Sequence, residues 1–282
     1  MSYRELGTGP IVVLLLHGNP TSSFLWRHVL ARVRSSGEPV ADGRSRWVAP
    51  DLIGMGHSEK PDIDYRFADH VARLEAFIDS LHAQSLILVG HDWGVALSVA
   101  ILRARPGLVR GIAMMEGHLR PLTGWDDFDD GGRELFQALR TPGIGEQMVL
   151  DENFFLVTLL PAAAPTVTQL QMATYRAPYP DPRSRRPLLQ WAREIPIGGE
   201  PADTAALMTA GFDNLVASSV PKLIVHGEPG VLVTAPVLAF VRGHLNALTV
   251  VDVGGPAGHF LPEDRPNEVS DALIDWIDRH HR

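Results

Sequence analysis

The 282-residue chain contains no cysteine, so neither a disulfide framework nor a thiolate metal site exists in it. It also lacks any block of basic residues. With 25 Lys and Arg against 33 Asp and Glu, a formal charge of −8 and a pI near 5.8, nucleic acid and anionic membrane are poor principal partners. A small, neutral or apolar ligand is expected instead. No apolar run approaches membrane-spanning length, and the start MSYRELGTGP has no basic stretch leading into an apolar one. These absences predict a soluble, cytoplasmic protein without a membrane partner. Internal repeats and low-complexity tracts are absent as well.

What is present is an alternation of short apolar runs with stretches of helical period, the pattern of βα units around a mostly parallel sheet. Strands are predicted at Ile11 to Leu16, Arg46 to Ala49, Ser85 to Val89, Val109 to Met115, Lys222 to Val225 and Leu248 to Val253. Trp26, Val29, Leu30 and Val33 recur at i, i+3, i+4 and i+7, as do Leu74, Phe77, Ile78 and Leu81, so both stretches read as helices laying one face on the sheet. A third helix runs from Val95 to Arg105 and stops before Pro106. The pattern breaks between about Pro121 and Ser219, where prolines, acidic turns and mixed helical segments replace buried strands. The expected division is a core of residues 1–119 and 217–282 with a helical cap at residues 120–216. A last helix is expected around Leu273 to Ile277.

Residues 90–94 read GHDWG between a strand and a helix. That is the setting of a nucleophile elbow, with aspartate where serine is usual. The residue type selects the electrophile. A serine attacking a saturated carbon would leave an ether, which water does not cleave under mild conditions; a carboxylate leaves an ester, and hydrolysing it regenerates Asp92. An alkyl halide or a strained epoxide is therefore the expected substrate. The loop HGNP, residues 17–20, follows the first buried strand, where elbow hydrolases take one oxyanion amide, the other coming from the residue after the nucleophile. Those amides belong to Asn19 and Trp93. Their side chains add a carboxamide NH2 and an indole N–H, donors suited to a departing halide ion.

Of twelve histidines, His259 stands out as the base that activates water, because GGPAGHF follows the last strand and the order nucleophile, acid, histidine puts the base there. Glu116, closing VRGIAMME, and Glu228, following PKLIVHG, both lie at C-terminal strand ends and are candidates for the orienting acid. Asp252 is a weaker third. Spacing does not separate them.

These strings carry a family likeness. Through HGNPTSSFLWR, APDLIGMGHS, VGHDWG, MEGHLRP, YRAPYPDP, REIPIGGEPA, GEPGVLV and GHFLPED the chain resembles the haloalkane dehalogenases, over nearly its whole length. The resemblance implies the α/β-hydrolase fold with an inserted helical cap and no cofactor or metal. It implies Asp92 as nucleophile, His259 as base, Asn19 and Trp93 as halide-binding and oxyanion-hole residues, and Glu116 as acid, leaving Glu228 structural. It also implies hydrolysis of small apolar haloalkanes to alcohol, halide and a proton, by a monomer or homodimer. Phe155, Leu159, Leu232 and Phe260 become substrate-contacting candidates on family-like position alone.

Three departures from the family pattern stand out. The family begins with an antiparallel strand pair, of which the resemblance implies the second member at Ser2 to Leu6 while the outer strand is missing, which leaves an open edge that favours dimerisation or lowers stability. E-F-I-R-P is replaced by E-G-H-L-R-P, which adds a residue and places His118 near the pocket or in the cap hinge. The loop before His259 is slightly longer. Two rival activities share the elbow aspartate: an epoxide hydrolase, with Tyr175 and Tyr179 as the acidic donors, and a coelenterazine-luciferase-like monooxygenase using oxygen. A ligand-binding protein without catalysis is a third alternative.

Overall fold

The computed structural model describes residues 1–36 and 43–281. Six apolar runs form parallel strands, because the segments between them carry the chain back to the same end of the sheet. They are β2 (Ile11–Leu16), β3 (Ser45–Pro50), β4 (Ser85–His91), β5 (Val109–Met115), β6 (Lys222–His226) and β7 (Leu248–Asp252). The strand β1 (Tyr3–Gly7) pairs antiparallel with β3. The order is β1-β3-β2-β4-β5-β6-β7. β1 therefore stands at an edge, and no further strand pairs with it among the described residues.

Alternation along the strands builds two cores. Val12, Leu14 and Leu16 face one side, while Val13 and Leu15 face the other. The longer helices are α1 (Arg27–Ser36), α2 (Phe67–Ser80), α3 (Trp93–Ala104), α4 (Asp130–Arg140), α5 (Gln169–Arg176), α6 (Arg186–Glu194), α7 (Ala202–Ala217), α8 (Ala235–His244) and α9 (Pro266–His281). Val29 and Val33 of α1 and Leu273 and Trp276 of α9 cover one face. Leu74 of α2 and Leu97 and Ile101 of α3 cover the other, in a core that continues to Leu156, Leu188 and Trp191. No helix among the described residues is long and apolar enough to cross a membrane.

Between β5 and β6 the described chain is helical, including two π-helical turns at Gln147–Asp151 and Phe155–Leu159. One buried carboxylate seats this segment. Glu194, fully buried at the end of α6, accepts from Arg66 Nε (2.5 Å), the Phe67 amide (2.9 Å), Thr204 Oγ1 (2.6 Å) and Gln190 Nε2 (2.8 Å). Four donors satisfy a charge that would otherwise cost several kcal/mol to bury, and the bonds to Arg66 and Phe67 pin α6 to the start of α2.

β2 and β5 keep the bounds expected from the sequence. β4 runs two residues further, to His91, and β7 stops at Asp252, one short of Val253. β1 is shifted by one residue, to Tyr3–Gly7. Trp26 belongs to a 3-10 turn, Ser23–Trp26, so α1 starts at Arg27. The last helix is much longer than its apolar signal, because Val269 and Leu273 extend one buried stripe over polar neighbours.

Candidate active site

The C-terminal ends of β2, β4 and β5 lie side by side, and each delivers one polar group. β4 breaks at Asp92, whose backbone sits at φ 55° and ψ −124° and caps α3. A non-glycine residue in this region stores strain, which the surrounding packing must hold. Packing there is tight: a Cβ on Gly90 would lie 2.4 Å from the Gly94 carbonyl oxygen, and one on Gly94 would lie 2.0 Å from the Leu16 carbonyl oxygen. Only glycine fits either place. The Asp92 carboxylate is consequently presented at the helix N-terminus, where partial positive charge favours it.

Two amides already hold this carboxylate. Asn19, just past β2, donates its backbone N–H to Oδ1 at 2.6 Å, and the Trp93 amide bonds to the same side chain. Burial pushes the Asp92 carboxyl up, but the hydrogen bond and charge of His259, the charge of His91 and the Trp93 amide outweigh it, so the group lies below the usual range.

The other oxygen faces histidine. His259 Nε2 is 3.5 Å from Asp92 Oδ2, and His259 Nδ1 is 3.6 Å from Glu116 Oε2. The second separation is slightly beyond a hydrogen bond. Glu116 ends β5 at φ 42° and is fully buried. Three successive amides cradle it: Val231 and Leu232 donate to Oε2 at 3.1 and 2.8 Å, and Val233 donates to Oε1 at 3.2 Å. Burial raises this carboxyl, but His259 and the cradle bring it below its ordinary value. For His259, burial works downward while Asp92 and Glu116 outweigh it, raising the imidazole to about 9.

The competing acids lie elsewhere. Glu228 is exposed, its carbonyl accepting from the Ala257 amide at 3.0 Å, and Asp252 is exposed, accepting from the Gly254 amide at 2.7 Å. Neither pairs with His259.

Asn19 and Trp93 flank Asp92 on adjacent strand ends. Asn19 Nδ2 gives one N–H to the Leu188 carbonyl at 3.2 Å and has a second to spare. The Trp93 indole is held between Phe67 and Trp191, with ring centroids 5.7 and 4.5 Å away. No described protein group accepts from its N–H. The cap thus supplies Leu188 and Trp191 to hold the pair, a contribution that α6 sequence pattern does not reveal.

His91 donates from Nε2 to the His259 carbonyl at 2.7 Å, and burial lowers it to about 4. His118 is half-buried beside Ala96, Val99, Leu119, Met208 and Gly211, and burial lowers it to about 4. The two tyrosines turn away from Asp92. The Tyr175 hydroxyl donates to Glu263 Oε1 at 2.5 Å, and the Tyr179 oxygen accepts from the Gly56 amide at 3.3 Å. Phe260 is fully buried with its ring 4.7 Å from His259, Phe155 is buried, and Leu159 and Leu232 are half-buried.

A mostly parallel sheet with a strained residue at the β4 elbow and a histidine and an acid on neighbouring loops is the arrangement of an α/β hydrolase, here with a carboxylate at the elbow. A family model described as alpha/beta hydrolase fold matches residues 11–152. Haloalkane dehalogenases of Mesorhizobium japonicum and Sphingobium indicum are 43% and 38% identical to the chain, over 98% and 99% of it and 87% and 92% of their own lengths. The crystal structure of a haloalkane dehalogenase from Bradyrhizobium elkani is similar with a TM-score of 0.91 at 44% identity, covering 98% of this chain and 93% of that one. One from Agrobacterium tumefaciens has a TM-score of 0.89 at 33% identity, covering 98% and 92%. The chain belongs to the haloalkane dehalogenase family.

Proposed function

We propose that the protein hydrolyses carbon–halogen bonds of small haloalkanes through an ester on Asp92. Asp92 Oδ2 attacks the halogen-bearing carbon; the carbon–oxygen bond forms as the carbon–halogen bond breaks, and the halide leaves with the electron pair. The free Asn19 amide N–H and the Trp93 indole N–H receive its charge. His259 Nε2 then takes a proton from water, and the hydroxide adds to the ester carbonyl carbon. The oxyanion forms on Oδ1, already in the grip of the Asn19 amide, with the Trp93 amide beside the same carboxylate. Collapse releases the alcohol and restores Asp92; the net products are alcohol, halide and one proton.

The observation that carries this reading is the division of labour between the two Asp92 oxygens, Oδ1 on an amide and Oδ2 facing His259. Charge then orders the steps. While Asp92 is ionised it helps hold His259 protonated; esterification removes that charge, and the imidazole becomes a base only once there is an ester to hydrolyse. Glu116 orients it and stabilises the imidazolium that forms. Residues 1–119 and 217–282 act as the catalytic core, and residues 120–216 as a cap that keeps water from the first step. Phe155, Leu159, Leu232 and Phe260 form apolar wall around the substrate. The setting is cytoplasmic.

Bromide release from 1-bromobutane tests this reading, run beside styrene oxide and coelenterazine. Bromide without diol or light supports it; diol or light without bromide moves the protein to a rival chemistry. The Tyr175 hydroxyl proton is engaged by Glu263, which speaks against its protonating an opening epoxide.

A further inference from the structure

We propose that Tyr175 is a positioning residue for His259, acting through Glu263, so that seating of the cap is a condition for the hydrolytic step. The inference rests on His259 being the base. Residues 258–264 form one self-bonded unit: the amides of Glu263 and Asp264 both close on the Phe260 carbonyl, at 2.8 and 3.0 Å, and Asp264 Oδ2 accepts the Gly258 amide at 3.0 Å. His259 lies inside it. Whatever fixes the unit from outside fixes the imidazole.

One fixing is the His91 bond to the His259 carbonyl. The other is Glu263, whose side chain is 2% exposed. Arg27, at the start of α1, grips both its oxygens at 2.6 Å, and Tyr175, near the end of α5, donates its hydroxyl to Oε1 at 2.5 Å. Thr166 adds a bond to the Glu263 carbonyl at 3.3 Å. The aromatic packing joins the same partners, with Arg27 4.2 Å over the Phe24 ring and Phe24 edge-on to Tyr175 at 5.3 Å. Core and cap therefore pull on one carboxylate four residues beyond the base. Arg27 alone satisfies Glu263 electrostatically; what Tyr175 contributes is the cap's hold on where the unit sits. His259 faces both carboxylates at 3.5 and 3.6 Å, a spacing at which a displacement of a few tenths of an ångström costs rate steeply. Asn19 and Trp93 have no bond to this network, and halide displacement by Asp92 needs no proton transfer by His259, so the displacement step is spared.

The test is rapid-quench kinetics of the full-length Tyr175→Phe protein with 1-bromobutane, read beside intact-protein mass and a thermal melt. The expected result is an unchanged rate of the first bromide release, a steady-state rate reduced about tenfold, and an alkylated protein accumulating during turnover; Glu263→Gln should do the same more strongly. A Tyr175→Phe protein with the parent's steady-state rate, or one in which burst and steady state fall together, overturns the proposal. His259→Phe is run in parallel: if it accumulates no adduct, the two-step reading has failed, whereas an adduct there with none in Tyr175→Phe fails the inference alone.

Discussion

Replacing Glu116 by Gln removes one charge and keeps the shape, so it isolates what the acid does for the base. At 3.6 Å from His259 Nδ1, with an effective dielectric near 20, the lost attraction to an imidazolium is at most about 4–5 kcal/mol. Solvent and protein relaxation reduce that to about 3 kcal/mol, on the order of a hundredfold in rate. The loss falls on the second step, in which His259 gains a proton. Gln also turns an N–H toward amides that now donate to carboxylate oxygens, costing about 1–3 kcal/mol of stability for the unpaired donor. Rapid-quench measurement with 1-bromobutane should show one bromide per site released as a burst, then turnover slowed about 100-fold, with the butyl ester visible by mass. Glu228→Gln, in contrast, should behave as the parent. A Glu116→Gln protein turning over within about threefold of the parent, or a larger loss at Glu228, would refute the reasoning.

Other outcomes follow from the same geometry. Asp92→Asn should release no halide above the uncatalysed rate, measured by bromide detection over hours. Trp93→Phe keeps the backbone amide and loses the indole donor; kcat/KM for bromoalkanes should fall by about 10²-fold, the worth of one donor to a developing anion, while the protein stays folded. Because His259 is raised to about 9, the stability tied to its proton is complete below pH 6.5 and lost as pH climbs through 9. Urea unfolding should show the parent weakening across that window and His259→Phe nearly flat. The lowered Asp92 and Glu116 carboxyls act oppositely, contributing stability above the ordinary carboxylate range and losing it in acid.

The sheet was readable because its strands are continuous apolar runs and its elbow needs two glycines at fixed spacing. β2 and β5 fell where Ile11–Leu16 and Val109–Met115 suggested, and the strings HGNP, HDWG and GHF singled out Asn19, Asp92, Trp93 and His259, of which the fold brings the Asn19 amide and the His259 ring to the Asp92 carboxylate. What residue spacing left undecided was the acid, which only the family resemblance assigned to Glu116. Glu116 and Glu228 stand in equivalent local contexts, and what differs between them is tertiary: Glu116 is buried, 3.6 Å from His259 Nδ1 and cradled by the amides of Val231, Leu232 and Val233, contacts across more than a hundred residues, while Glu228 is exposed. The cap was the least legible part. Its π-helical turns blur a 3.6-residue period, and its grip on the core runs through Glu194, Leu188, Trp191 and Tyr175, whose side chains look like ordinary surface or core choices until their partners are known. Buried His91 and half-buried His118 likewise owe their neutrality to surroundings that no local pattern announces.

The central claim is that Asp92 carries the substrate's carbon between two chemically separate steps. His259→Phe protein incubated with 1-bromobutane, digested and analysed by mass spectrometry, tests it most directly. The account predicts one equivalent of bromide and a butyl group on the peptide containing Asp92, stable for as long as the base is missing. Full turnover without an adduct, or a butyl group on any other residue, would contradict it.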